Sequence, residues 1–271
     1  MRMLRSLVQR LKPLVTRRNL WIRRDHRVLL ERWDRTMCFD VHHALAHLLL
    51  RKRPLTMVQV GACDGLLDDP VEPYIRNGYV KGLLVEPQPE AYQSLADRYQ
   101  GNPHIRTENC AVAPAPGTLT MHRVKASHRH LLRSWAFGMA SARPDALLAE
   151  LGKVMTDPRE GMETLEVEAL TWQQLFDRHG ITGIDFLQID TEGLDGVLLD
   201  CFPYEQHKPA LIHFEWSHLG EPDLANLFNR LMDLGYRLHL AGIDAVACQQ
   251  DLVDSMPLMP ASGPADSGQP C

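Results

Sequence analysis

An α/β fold with a mostly parallel sheet, closed by a terminal antiparallel strand pair, is what this 271-residue sequence predicts. Three observations carry the prediction. Short β-branched and apolar runs alternate with stretches of helical spacing, which is the order of repeated βα units. The runs at 56–60, 80–86, 184–190 and 211–216 are apolar almost throughout, as strands covered on both faces are. Turn residues, chiefly Gly, Pro and Asp, separate the elements at short intervals.

The elements follow in order. Residues 56–60 read as a strand, 70–77 as a short helix, 80–86 as a strand and 89–99 as a helix with Pro89 tolerated in its first turn. Strands at 104–108 and 118–124 flank the turn Pro114-Ala115-Pro116-Gly117. In the strand at 164–169, Leu165, Val167 and Ala169 alternate with Glu166 and Glu168. Thr171 caps a helix that runs to His179 and stops at Gly180. After the central strand 184–190 and the next at 211–216 comes a helix at 223–234 ended by Gly235. The segments 236–240 and 245–248 form the antiparallel pair. In such a sheet, ligands belong at the carboxyl ends of the strands.

Composition divides the chain into parts. The net charge of −5 conceals a leader, residues 1–53, with 14 Lys/Arg against 4 Asp/Glu, and a remainder with 15 against 30. Leu4, Leu7, Val8, Leu11, Leu14 and Val15 fall at helical spacing among Arg2, Arg5, Arg10 and Lys12, so 1–53 is expected to be a basic, helical extension. It either packs on the domain or, through residues 1–24, makes peripheral contact with an anionic membrane surface. An Arg-rich, acid-poor start also resembles an organellar transit peptide. Residues 54–250 form the main domain, and 251–271 a tail rich in Pro, Ser, Gly and Ala that is expected to be disordered. An insertion at 125–162 carries His128, Arg129, His130, Arg133, Trp135 and Arg143, and a helical piece at 144–151. An insertion of this length commonly serves as a lid or substrate wall, the alternative being a plain surface excursion. Six scattered cysteines show neither disulfide nor zinc spacing; Cys63, Cys110 and Cys201 lie in or beside apolar segments, and a reducing cytoplasm is the simplest home. His43 and His47 share a helical spacing but lack a third ligand, so they read as surface histidines.

The chemistry centres on Gly61-Ala62-Cys63-Asp64-Gly65, which follows the first strand, and on Glu86, 25 positions after Gly61 at the end of the second. Gly61 and Gly65 would let backbone approach a ligand, and a carboxylate at Glu86 could accept both hydroxyl protons of a ribose. The turn lacks the three-glycine dinucleotide fingerprint and the Lys-Ser/Thr end of a phosphate loop, and Asp64 would repel a pyrophosphate. A ribose-bearing cofactor with a cationic amino-acid end fits instead, which points to S-adenosylmethionine. Three blocks carry a resemblance: Val-Gln-Val-Gly-Ala-Cys-Asp-Gly (58–65) with Asp69-Pro70, Val-Glu-Pro-Gln-Pro (85–89), and Ile-Asp-Phe-Leu-Gln-Ile-Asp-Thr-Glu-Gly-Leu-Asp (184–195). Together, over residues 56–236, they resemble the FkbM family of S-adenosylmethionine-dependent methyltransferases. The resemblance implies a Rossmann-like class I methyltransferase fold, O-methylation of a hydroxyl on a sugar, glycolipid or polyketide-type product, and an adenine contact for Asn109. A turn-forming Asn109 is the competing view.

Gly61, Asp64, Gly65, Glu86, Asn109 and Asp190 are thus the expected cofactor residues, and Asp190, Glu215 and His218 the expected catalytic ones. A hydroxyl is a weak nucleophile and needs a base or a metal. Asp190 could be that base, cap the next helix, or hold the cofactor's ammonium group. Glu192, Asp195, Glu215 and His218, converging from adjacent strand ends, could bind a divalent ion or pair a base with its orienting acid. Many methyltransferases carry an acid where this chain has Gln59, so Asp64 or Asp190 would have to meet the ammonium. The acceptor, small-molecule or saccharide, is not identified by the sequence, nor are metal dependence and oligomeric state. No nucleic-acid partner is expected, and a location in the cytoplasm, peripheral to a membrane where the leader engages one, is consistent with the segments read. A contrasting reading is an idle Rossmann-like module recruited through its basic leader.

Overall fold

The computed structural model describes residues 20–22, 28–30, 40–132, 138, 140–241 and 243–256. The leader stripe at residues 4–15, together with Arg133 and Trp135, lies outside them. A seven-stranded sheet organises the chain. Its strands are β3 (Leu55–Val60), β4 (Val80–Val85), β5 (Ile105–Glu108), β10 (Phe186–Ile189), β11 (Leu211–Glu215), β12 (Tyr236–Ala241) and β13 (Asp244–Gln249), in the order β12-β13-β11-β10-β3-β4-β5. All neighbours pair in parallel except β13, which is antiparallel to both β11 and β12. The predicted parallel sheet and terminal antiparallel pair are therefore both present.

The alternation of side chains along each strand builds two cores. Val58, Val60, Leu187, Ile189, Ile212 and Phe214 pack on one face with helices α5 (Trp172–His179), α6 (Asp195–Asp200) and α7 (Glu221–Asp233). Met57, Leu84, Phe186, Leu211 and Val246 pack on the other with α1 (Val41–Arg51), α2 (Glu72–Arg76), α3 (Pro89–Tyr99) and α8 (Gln250–Asp254). Thr171 accepts the Gln174 N–H in a capping box and Gly180 closes α5 at φ +61°, the start and stop predicted for that helix.

Several expectations are corrected. Residues 41–53 are not an extension: Val41, Ala44, Leu45, Leu48 and Leu49 of α1 are core residues, because the apolar spacing of this helix fits the sheet face. Within the leader, β1 (Leu20–Ile22) and β2 (Val28–Leu30) pair antiparallel, so it is not wholly helical. The assigned tail starts too early, since α8 buries Leu252, Val253 and then Met256. Cys201, read as lying in or beside an apolar segment, is exposed.

The larger correction is a second sheet. β6 (Ala111–Val112), β7 (Gly117–Val124), β8 (Ala140–Ser141) and β9 (Met162–Leu170) form a separate four-stranded sheet in the order β6-β9-β7-β8. β7 and β9 pair antiparallel over their length, from Gly117 opposite Ala169 to Val124 opposite Met162. The insertion is thus the connection of a long hairpin. It supplies β8, a 3-10 turn at Ala126–Leu131 and α4 (Asp145–Leu151). Among the described residues, no helix is long and apolar enough to cross a membrane.

Candidate active site

The seven strands run outward from β3 and β10, which lie side by side although far apart in sequence. That reversal of strand order is where an α/β sheet opens a crevice. A cavity of about 470 Å³ lies there. Gly61, Glu86, Asp190 and Glu215 line it from the ends of β3, β4, β10 and β11, and Asp244 from the start of β13. The second sheet adds an apolar wall of Ala111, Val112, Leu119 and Met121, and the insertion contributes Gly138, Ala140, Ala149 and Glu150. Among its described residues, His128, Arg129, His130 and Arg143 do not line the cavity.

Glu86 stands at the centre and is only 4 % exposed. Its Oε2 accepts the Cys63 N–H at 2.8 Å and its Oε1 the Gln88 N–H at 2.8 Å, so it joins the turns after β3 and β4. Burial outweighs these two bonds and pushes its carboxyl up to about 7. Each oxygen retains acceptor capacity for a further donor from the cavity side.

Both glycines are required by close packing of the turn. A Cβ on Gly61, at φ +84°, would stand 1.7 Å from the Asp190 carbonyl oxygen. One on Gly65, at φ +71°, would meet Leu95 and Tyr99 at 2.8 Å. Gly61 still lines the cavity; Gly65 does not. Asp64 is spent on its own turn, its Oδ1 accepting from Leu66 N and Leu67 N, and it lies outside the lining. Asn109 donates to the carbonyls of Glu86 and Pro87, tying the segment after β5 to the one after β4, and is not among the lining residues.

Two residues carry more than was read from sequence. Gln59 is buried, lines the cavity and has no hydrogen-bond partner for Oε1. Gln188, its neighbour across the β3–β10 pair, also lines the cavity, and its Oε1 accepts from His213 Nδ1 at 2.7 Å. The signal for both was a polar residue inside an otherwise apolar strand.

Asp190, Glu192, Glu215 and His218 do come together on one wall. His218 Nε2 lies 3.3 Å from Glu192 Oε2 and 3.2 Å from Glu215 Oε2. These two carboxylates outweigh partial burial and push the imidazole up to about 10. The shift favours the imidazolium, which makes His218 a charge partner for Glu192 and Glu215. Burial disfavours the charge on Glu215, but hydrogen bonds from His218 and Ser217 prevail and hold its carboxyl below the usual range. Glu192, Glu215 and His218 each present one ligand atom within 4.8 Å of the others, which is the set a divalent ion would use.

Asp190 has the opposite electrostatics. It lines the cavity and is exposed to it. Desolvation first, then repulsion from Asp195, Glu192, Glu215 and Asp244, pushes its carboxyl well above the carboxylate range. Asp195 is fully buried and structural: its carboxylate accepts from Thr191 N, Thr191 Oγ1 and Glu215 N, which fixes the two strand ends relative to each other. Burial holds Asp195 at about 6 and Asp244 at about 6.

Strand order, the cavity at the reversal point and the carboxylates at the strand ends define a class I methyltransferase fold. The profile of the methyltransferase FkbM domain matches residues 59–238, and the chain belongs to that family. No curated protein matches the sequence. Among solved structures, a methyltransferase FkbM from Methylobacillus flagellatus KT is 14 % identical, over 72 % of this chain and 43 % of that one, with a TM-score of 0.44. A precorrin-6y C5,15-methyltransferase from Geobacter metallireducens GS-15 is 11 % identical, over 80 % of this chain and 92 % of that one, with a TM-score of 0.39. The chain thus spans less than half of the first of these, and the family assignment rests on the profile match.

Proposed function

We propose that this methyltransferase uses S-adenosylmethionine to O-methylate a hydroxyl on a sugar, glycolipid or polyketide-type product. The observation that carries the reading is Glu86, a buried carboxylate whose oxygens each hold one backbone N–H and keep acceptor capacity toward the cavity. Ribose hydroxyls would fill that capacity and favour the ionised form. The orphan Oε1 of Gln59 is a second sign that the cavity suits a ligand with hydrogen-bond donors. When bound, S-adenosylmethionine supplies an electrophilic methyl group on a sulfonium.

The chain's own part is to orient the acceptor and take its proton. Asp190 is the base in this reading, because a carboxyl raised by its surroundings has a greater affinity for the hydroxyl proton once ionised. Glu192, His218 and Glu215 form a bracket in which the imidazolium partly neutralises the acidic wall and limits the repulsion on Asp190. The apolar wall of the second sheet and the insertion would exclude water from the reacting atoms. A divalent ion held by Glu192, Glu215 and His218 is the competing route to the same activation.

Calorimetry with S-adenosylmethionine, S-adenosylhomocysteine and NAD tests the cofactor. Binding of the first two with no NAD binding supports the proposal. Preference for NAD, or heat from none of them, refutes it.

A further inference from the structure

Besides the acidic wall, the cavity lining holds a second pair of polar side chains, Gln59 and Asp69. Gln59 is 3 % exposed and presents an Oε1 without a partner. Asp69, in the loop between β3 and α2, also lines the cavity. Its Oδ1 accepts the Val71 N–H at 2.8 Å, whereas its Oδ2 is buried without a partner. The two side chains are neighbours: burial raises the Asp69 carboxyl, and the Val71 N–H and then the Gln59 amide work against that rise.

Buried acceptors without donors are uncommon in folded proteins and call for an explanation such as a ligand. The chain offers no cation to fill this one, since no Lys or Arg is among the described lining residues and His218 is held by Glu192 and Glu215. A primary ammonium group, with three donors and a positive charge, has the chemistry that both orphan oxygens lack. We propose that Gln59 Oε1 and Asp69 Oδ2 form an ammonium subsite that receives the amino-acid end of the cofactor. The inference rests on the S-adenosylmethionine reading. It removes the need for Asp64, which is committed to its turn, and frees Asp190 for the acceptor hydroxyl. In this chain the charge that a strand acid would supply at position 59 comes from the loop, ten positions on.

The test is calorimetry on the full chain with S-adenosylhomocysteine and its desamino analogue, which lacks only the α-amino group. Wild type should prefer S-adenosylhomocysteine at least tenfold, Asp69→Asn should abolish most of that preference while binding the analogue as wild type does, and Gln59→Leu should reduce it severalfold. Equal affinity for the two ligands in wild type overturns the subsite without touching the cofactor reading. A preference that survives in Asp69→Asn, or is lost instead in Asp190→Asn, overturns it as well. Failure of wild type to bind either ligand overturns the cofactor reading itself. Should Asp69→Asn not fold, the wild-type ligand comparison and Gln59→Leu decide the matter, a full preference in Gln59→Leu counting against the subsite.

Discussion

Replacing Glu86 by Ala should change stability and binding in ways that depend differently on pH. In wild type the folded carboxyl sits at about 7 rather than 4.5, so the folded chain holds this proton more tightly than the unfolded chain. Stability is therefore unaffected by Glu86 ionisation below about pH 4.5, falls as pH rises from there to about 7, and is lower by about 3 kcal/mol above that, taking ~1.4 kcal/mol per tenfold change in proton affinity. The Ala variant escapes this loss but leaves the Cys63 and Gln88 N–H groups without their acceptor, at ~1–3 kcal/mol each. The two effects oppose each other above pH 7, where the variant should approach or match wild type. Near pH 5 only the lost bonds remain, and the variant should be less stable by ~2 kcal/mol or more. Denaturant unfolding at pH 5 and pH 8 measures both. S-adenosylmethionine binding at pH 8 should weaken by ~1.5–3 kcal/mol, the range for hydrogen bonds to a charged group. Parallel stability–pH curves for the two proteins would show that Glu86 is not perturbed by burial. Unchanged affinity in a folded variant would remove it from the ribose site.

Four other outcomes are expected. Asp190→Asn should lower the methyl-transfer rate by ~10²–10⁴ while cofactor affinity measured by calorimetry is retained; a rate near wild type would exclude Asp190 as base. Chelator should leave turnover unchanged under the metal-free route, and a steep loss restored by Mg²⁺ or Mn²⁺ would assign Glu192, Glu215 and His218 to an ion instead. Gly61→Ala should depress the melting temperature far more than Gly78→Ala, since both glycines have positive φ but only the first would drive a Cβ into Asp190; similar melts would contradict the close approach. Deletion of residues 1–18 should abolish sedimentation with anionic vesicles and leave cofactor affinity alone if the basic leader is an anchor, because its field is screened within about 8 Å at physiological salt. Equal sedimentation of both forms would reject the anchor.

What could be read in the sequence was whatever a local pattern determines. Apolar runs located β3, β4, β10 and β11 to within a residue or two, and the Thr171 and Gly180 signals placed α5, because cap and strand chemistry act between near neighbours. The second sheet escaped although its strands were recognised. Alternation in 164–169 shows that one face is buried but not which strand lies beside it, and the pairing of Gly117 with Ala169 joins segments separated by the whole insertion.

The acids show the same limit within the site. Asp64 and Asp69 stand in one turn-rich loop, five positions apart, and both can bond to the backbone N–H groups that follow them. Asp64 meets Leu66 and Leu67 with one oxygen and is not among the lining residues, whereas Asp69 meets Val71 with one oxygen and buries the other beside Gln59. Nothing in the letters separates them; the course of the loop toward α2 does. A strand-end acid is easier to place, because the parallel sheet carries its position to the crevice whatever the loops do. Glu86 and Asp190 were accordingly legible as cavity residues, and the raised proton affinities of Asp190 and His218 were not, since they arise from four acids, Glu192, Asp195, Glu215 and Asp244, drawn from three separate stretches of chain.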